Sequence, residues 1–209
     1  MAIYDSEKLR NVALVGHGGS GKTSLAEALL FDSGAVNRLG RVDDGTSVSD
    51  WDDEERRRGM SINTSVIPCE WQHHKLNVID TPGYMDFVGE IIGSLRVADS
   101  VVVVLDAVGG VEVGTEQAWH YADAQSLPRI AFVNKMEREN VDYAKVVDQI
   151  GSKFGVIAVP VQLPIGSQAD FTGVVDLLRE KAYLGEDGTE AAIPDDMADD
   201  VEEARMILL

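Results

Sequence analysis

The chain has 209 residues, 44% of them hydrophobic, with one cysteine and a formal net charge of −18. That length suits one domain with a sizeable core, or a domain plus an insertion, and the acidity argues against general or sequence-specific nucleic-acid binding, which needs cations against phosphate. No apolar run reaches membrane-span length, residues 1–7 have neither the basic region nor the apolar core of a secretory leader, and Cys69 cannot form an internal disulfide, so a cytoplasmic location without membrane partners is expected.

The apolar run Val12-Ala13-Leu14-Val15 predicts a buried strand over 10–15. It leads into Gly16-His17-Gly18-Gly19-Ser20-Gly21-Lys22-Thr23 and then an amphipathic run from Ser24 to Leu30, a helix over 21–33 that stops at Ser33-Gly34. Strand, glycine-rich loop and helix in that order form the context of a phosphate-binding loop. The glycines let successive N–H groups face one anion, and the helix start adds its own free N–H groups and dipole. Lys22 would reach the terminal phosphates and the Thr23 hydroxyl would hold Mg2+.

From Asn37 to Arg58 periodicity disappears in a polar stretch with Gly40, Gly45 and the charged run Asp50 to Arg58. So long a loop is a solvated linker or a mobile segment that orders over bound phosphate. Ser61 to Trp71 and Leu76 to Ile79 then read as two strands of a hairpin, with His73 and His74 at its turn as surface residues rather than metal ligands. The second strand ends in Asp80-Thr81-Pro82-Gly83. An acid at the C-terminal end of a buried strand points to where ligands bind in open α/β sheets, and Gly83 allows a close N–H approach to a terminal phosphate.

A helix is expected over 87–97, with Phe87, Ile91 and Leu95 on one face. Ser100 to Asp106 has the continuous apolar pattern of a strand buried on both sides. A helix over 116–125, a buried strand over 129–133 ending in Asn134-Lys135-Met136-Glu137, a helix over 141–153 and a strand over 156–159 follow. This alternation predicts an α/β P-loop fold, a mostly parallel doubly wound sheet with helices on both faces. After Pro160 the pattern changes, so residues 1–160 are expected as a nucleotide-binding domain and 161–209 as a truncated, strand-containing insertion. The stretch 186–203 holds nine acids and no Lys or Arg, and reads as a solvated surface or disordered tail.

The phosphate loop, Asp80-Thr81-Pro82-Gly83 and Asn134-Lys135-Met136 stand in the order of a GTP-binding domain. With Asp50-Trp51 through Arg58-Gly59, Asn77-Val78-Ile79 and Gln162-Leu163-Pro164-Ile165-Gly166, the chain resembles the translation elongation factor G family over about residues 8–205. The resemblance implies GTP or GDP with Mg2+ as ligands, GTP hydrolysis as activity and the ribosome as partner of the full-length protein. It implies phosphate contacts from Gly16, His17, Gly18, Gly19, Ser20, Gly21, Lys22, Thr23 and Ser24, and from Asp80, Thr81, Pro82, Gly83 and Tyr84. It assigns guanine to Asn134, Lys135, Met136 and Glu137, Mg2+ to Thr23, Ser61 and Asp80, and catalysis to Lys22, Gly83 and Tyr84.

Four positions depart from the family. Tyr84 replaces the histidine that orients the attacking water, Glu137 the base-reading Asp, Ser61 a threonine, and Gly19 an Asp. A divergent, slow GTPase is therefore expected, with a weakly hydrolysing switch bound to the ribosome as the alternative. Glu137 leaves a changed base preference open. The family's fifth motif, a Ser-Ala segment, is not found, so a fragment is expected. Contact of the acidic stretch with a ribosomal stalk protein is permitted by the resemblance.

Overall fold

The computed structural model describes residues 4–209; residues 1–3 of the expected leaderless opening lie outside the described residues. Two compact units are present, one running to Asp106 and resuming over Val111–Asn134, the other made of Ala107–Gly110 and Lys135–Leu209.

The first unit is built on strands β1 (Leu9–Val15), β2 (Ser65–Trp71), β3 (His74–Asp80), β4 (Ser100–Asp106) and β5 (Arg129–Asn134), in the order β2-β3-β1-β4-β5. All pairings are parallel except β2 with β3. The sheet is thus mixed and mostly parallel, flanked by helices, as the α/β P-loop pattern predicts. β4 is suited to its inner place by Val101, Val103, Val104 and Leu105, all buried. Helix α1 (Lys22–Asp32) lays Ala26 and Leu30 on Leu14, Ile67, Cys69 and Val78.

The hairpin turn is Gln72-His73, with φ of 44° and 63°. Two positive φ values match the turn type that follows the twist of paired strands. His73 and His74 are exposed, and no group of three His, Cys, Asp or Glu side chains gathers to hold a metal among the described residues.

The aperiodic stretch is not all loop. Helix α2 (Asp53–Arg58) occupies its end, capped reciprocally by Asp52 and Glu55 and stopped by Gly59 at φ 64°. The capping pattern is present in Asp52-x-x-Glu55, but six residues are too few to show helical periodicity. The predicted strand from Ser61 begins only at Ser65, because Ser61 to Thr64 bond sideways to Asp50, Glu55 and Glu90 instead of to a ladder.

Helices α3 (Val88–Leu95) and α4 (Val113–Ala124) complete the unit, with Ile91 and Leu95 of α3 buried. β5 differs from its expectation. It lies at the sheet edge, and Ile130 is 62% exposed. A continuous apolar run signals a strand but does not say which strand is outermost.

In the second unit, α5 (Tyr143–Phe154) is capped by Asp142, which accepts the Lys145 N–H, and ends at Gly155 with φ 65°. The strand expected over 156–159 is absent, and Ile157 is 88% exposed. That run sits between the helix-stopping Gly155 and Pro160, and it pairs with no strand among the described residues. Strands β6 (Gln162–Ile165), β7 (Gly173–Asp176), β8 (Lys181–Leu184) and β9 (Thr189–Ala191) form an antiparallel meander. The acidic stretch is solvated but not a disordered tail: all nine acids are exposed, yet helix α6 (Ala198–Leu208) packs Val201, Ala204 and Leu208 with Val175, Leu177 and Ala182.

Leu177 is the largest fully buried side chain of this second core. Leu177→Ala is expected to cost about 2–5 kcal/mol, read as a lower urea midpoint for amide protection in β6–β9.

Candidate functional site

The site grows from the C-terminal ends of β1 and β3, where the connections leave a parallel sheet and ligands bind. The loop after β1 has positive φ at Gly16 (145°), Gly19 (78°) and Gly21 (99°). Gly16 cannot be replaced: a Cβ there would collide with the Val104 carbonyl of β4. Gly21, left-handed, is the N-cap that turns the loop into α1. The Ser20 N–H donates to the His17 carbonyl at 3.3 Å, which closes the turn.

Lys22 is buried and folds back along the loop, its Nζ donating to the carbonyls of His17 (2.9 Å) and Gly16 (3.2 Å). The His17 side chain turns toward α4, where Nδ1 accepts the Gly114 N–H and Nε2 lies 3.6 Å from Glu112. His17 therefore offers only its backbone to the loop interior. Ser24 is exposed on α1. Asn134, at the end of β5, donates from Nδ2 to the Ser20 carbonyl at 3.0 Å, tying the third motif to the first. Lys135, Met136 and Glu137 follow in sequence and belong to the second unit, where the Met136 carbonyl accepts the Gln168 N–H.

The three residues expected around a cation meet. Thr23 Oγ1 donates to Asp80 Oδ2 at 2.8 Å and lies 3.0 Å from Ser61 Oγ. Ser61 Oγ in turn donates to Asp50 Oδ1 at 2.7 Å, and Ser47 Oγ donates to the other Asp50 oxygen at 3.2 Å. Asp80 Oδ1 is buried with no hydrogen-bond partner. Burial pushes the Asp80 carboxyl up to about 6; the Thr23 hydrogen bond, the Lys22 charge and the nearby Ser49 hydroxyl oppose this, and the Asp50 charge adds to it. Two acids and two hydroxyls are a hard-oxygen set that suits Mg2+, which keeps part of its shell as water and phosphate rather than demanding a full protein cage. The orphaned Asp80 oxygen is the observation that fits such an ion.

The strand-end motif closes the other side. Thr81 Oγ1 donates to the Leu14 carbonyl at 2.7 Å, and Thr81 and Pro82 are buried. A Cβ on Gly83 would collide with Lys22 Nζ and come within 2.7 Å of the Gly18 nitrogen, so only glycine brings this backbone against the loop. Tyr84 is 43% exposed, and its ring covers Gly18: a Cβ at 18 would lie 2.8 Å from its Cζ. Asp50 is a member of the cluster that sequence reasoning misses as a site residue. In sequence it stands within a charged run, where burial leaves no signal.

A sequence-family profile described as the elongation factor Tu GTP binding domain matches residues 7–203. The fold is similar to a solved crystal structure of a Thermus thermophilus protein described as ttk003000868, with a TM-score of 0.90 and 40% sequence identity. That likeness covers 96% of this chain and 30% of the other, so this chain spans less than a third of that protein's length. No helix among the described residues is long and apolar enough to cross a membrane.

Because the folded pKa of Asp80 lies above the ordinary carboxylate value, the fold favours the protonated acid. The sign follows: the cost of the ionised form is absent well below pH 4 and grows as pH rises through about 6. Asp80→Asn keeps an acceptor for Thr23 and removes that charge. In metal-free protein it should melt above the wild type at pH 7.5, and the gap should narrow at pH 5 by calorimetry.

Proposed function

We propose, because the chain belongs to the elongation factor Tu GTP-binding domain family of translational GTPases, that it binds GTP and GDP with Mg2+ and hydrolyses GTP slowly. The convergence of Thr23, Ser61 and Asp80 within one hydrogen-bonded cluster, beside Lys22, carries this reading. The N–H groups of Gly18 to Thr23 would cradle the phosphates and Lys22 would lie along the terminal ones. The Thr23 and Ser61 hydroxyls and the Asp80 carboxylate would hold Mg2+, which supplies charge neutralisation on the phosphate oxygens. The Gly83 N–H, on backbone that lies against Lys22 and Gly18, would steady charge on the transferred group.

Guanine recognition is proposed for Asn134, Lys135 and Glu137. A glutamate can face guanine's two N–H donors if its loop backs away by about one C–C bond, roughly 1.5 Å. The stretch 161–209 is read as an insertion of the elongation factor G type, and the ribosome as partner of the longer protein. This finer assignment rests on Gln162 to Gly166 and the meander that follows.

Tyr84 supports slow turnover. A phenol is a poor substitute for imidazole in orienting water. The exposed ring over Gly18 also favours a second reading, a nucleotide switch that occupies the ribosome with little hydrolysis. Phosphate release over hours, with and without ribosomes, separates the two.

Isothermal titration should show a GTP analogue binding in a Mg2+-dependent way, with ATP weaker. Absence of binding by GDP and GTP analogue alike at millimolar concentration would refute the reading. Tyr84→His should raise the ribosome-stimulated GTPase rate, by about 10²-fold or more if water positioning is what the wild type lacks; an unchanged rate removes this account of Tyr84.

A further inference from the structure

Two carboxylates outside the cation cluster are fully buried, Glu27 on α1 and Glu55 on α2, each 0% exposed. A charge taken out of water is costly unless hydrogen bonds replace the lost hydration. What these acids bond to is backbone, at two particular places. Glu27 Oε1 accepts the N–H of Val48 at 2.6 Å and of Ser49 at 3.3 Å, immediately before Asp50. Glu55 Oε1 accepts the N–H of Ile62 at 3.0 Å and of Asn63 at 2.9 Å, immediately after Ser61. Its other oxygen accepts the Asp52 N–H at 3.0 Å, which caps α2.

The two grips therefore bracket the pair Asp50 and Ser61, which is itself joined at 2.7 Å. Glu27 sits one turn beyond Thr23 on the same helix, so the first grip is referenced directly to the phosphate loop. The chain wraps Glu27 from the other side as well. A Cβ on Gly40 would collide with Glu27 Oε2 and lie 2.8 Å from the Thr46 carbonyl. Glu27 Oε2 has no hydrogen-bond partner, so this acid is retained at a net cost that its two backbone bonds must offset.

We propose that Glu27 and Glu55 are positioning residues for the cation site: they fix Val48 with Ser49, and Ile62 with Asn63, so that Asp50 and Ser61 stand beside Thr23 and Asp80. They act only through those residues and touch no substrate. Removing a grip lets the 40–63 segment leave, and the cation loses Ser61 and the Asp50 charge behind it. Binding that needs the cation and a third phosphate weakens, whereas diphosphate held by the loop alone does not. This rests on the nucleotide reading given above.

The test compares wild type, Glu27→Ala, Glu27→Gln, Glu55→Ala and Gly40→Ala in this chain. Three quantities are read: affinity for a Mg2+–GTP analogue, affinity for GDP in excess chelator, and the rate of tryptic cutting at Arg56, Arg57 and Arg58. Glu27→Ala and Glu55→Ala should lose at least about tenfold in the first, stay within about twofold in the second, and be cut faster with analogue bound. Glu27→Gln keeps an acceptor for Val48 and should recover most of the loss. Gly40→Ala keeps the carboxylate but crowds the chain off it, and should reproduce the split even if an alanine variant at Glu27 or Glu55 fails to fold. Equal losses for both ligands, or wild-type values throughout while the wild type shows Mg2+-dependent binding, would overturn the proposal alone. A wild type that binds neither ligand would overturn the nucleotide reading and this proposal with it.

Discussion

Asp80 is held almost wholly out of water with one oxygen bonded to Thr23 and the other left without a partner. The folded chain tolerates that cost, together with the neighbouring buried charge of Asp50, in a pocket where Lys22 is the buried cation among the described residues. Acids gathered like this repel one another and favour protonation. A divalent cation bound among them would reverse the balance, turning mutual repulsion into shared attraction. Much of the surrounding architecture places, buries or encloses this one arrangement of oxygens.

The parallel pairing of β1 with β3 sets Leu14 level with Asp80, so Thr81 can bond the Leu14 carbonyl and the loop after β1 lies beside the acid. Gly16 and Gly83 then remove the two side chains that would keep backbone segments apart. From the other direction the 46–63 segment brings Ser47, Asp50 and Ser61, with backbone N–H groups on either side of helix α2 bonded to the buried Glu27 and Glu55. If a segment held by a few such bonds can also leave its site, a ligand that binds only the held state would favour that state. The burial of Asp80 and of Glu27, each with an oxygen lacking a hydrogen-bond partner, costs stability beside the proposed cation site.

Local rules carried most of the sheet. The continuously apolar runs 12–15 and 101–105 are mostly buried, and the phosphate loop is recognisable because glycine, lysine and threonine serve backbone and charge at fixed spacing. Thr23, Asp80 and Ser61 were named together from motif and family resemblance, and the structure brings them into one hydrogen-bonded cluster. What failed needed long-range information. The 156–159 run has strand composition but no partner strand among the described residues, and β5 has core composition at an edge. Asp50, Glu27 and Glu55 look like ordinary surface acids until folding buries them, because burial is a property of what arrives from elsewhere in the chain. The acidic tail misled in the opposite sense: Asp199, Asp200, Glu202 and Glu203 mark one face of α6, while Val201, Ala204 and Leu208 on the other are spaced for packing.

The central claim is that these oxygens bind a divalent cation together with a guanosine polyphosphate. Electron paramagnetic resonance of Mn2+, a spin-bearing substitute for Mg2+ at an oxygen site, tests it directly in the presence of a GTP analogue. The account predicts one Mn2+ held per chain at a population well above that bound by the nucleotide alone, and at least about tenfold weaker retention in Thr23→Val. Equal retention by wild type and Thr23→Val, or no Mn2+ beyond that on free nucleotide, would contradict it.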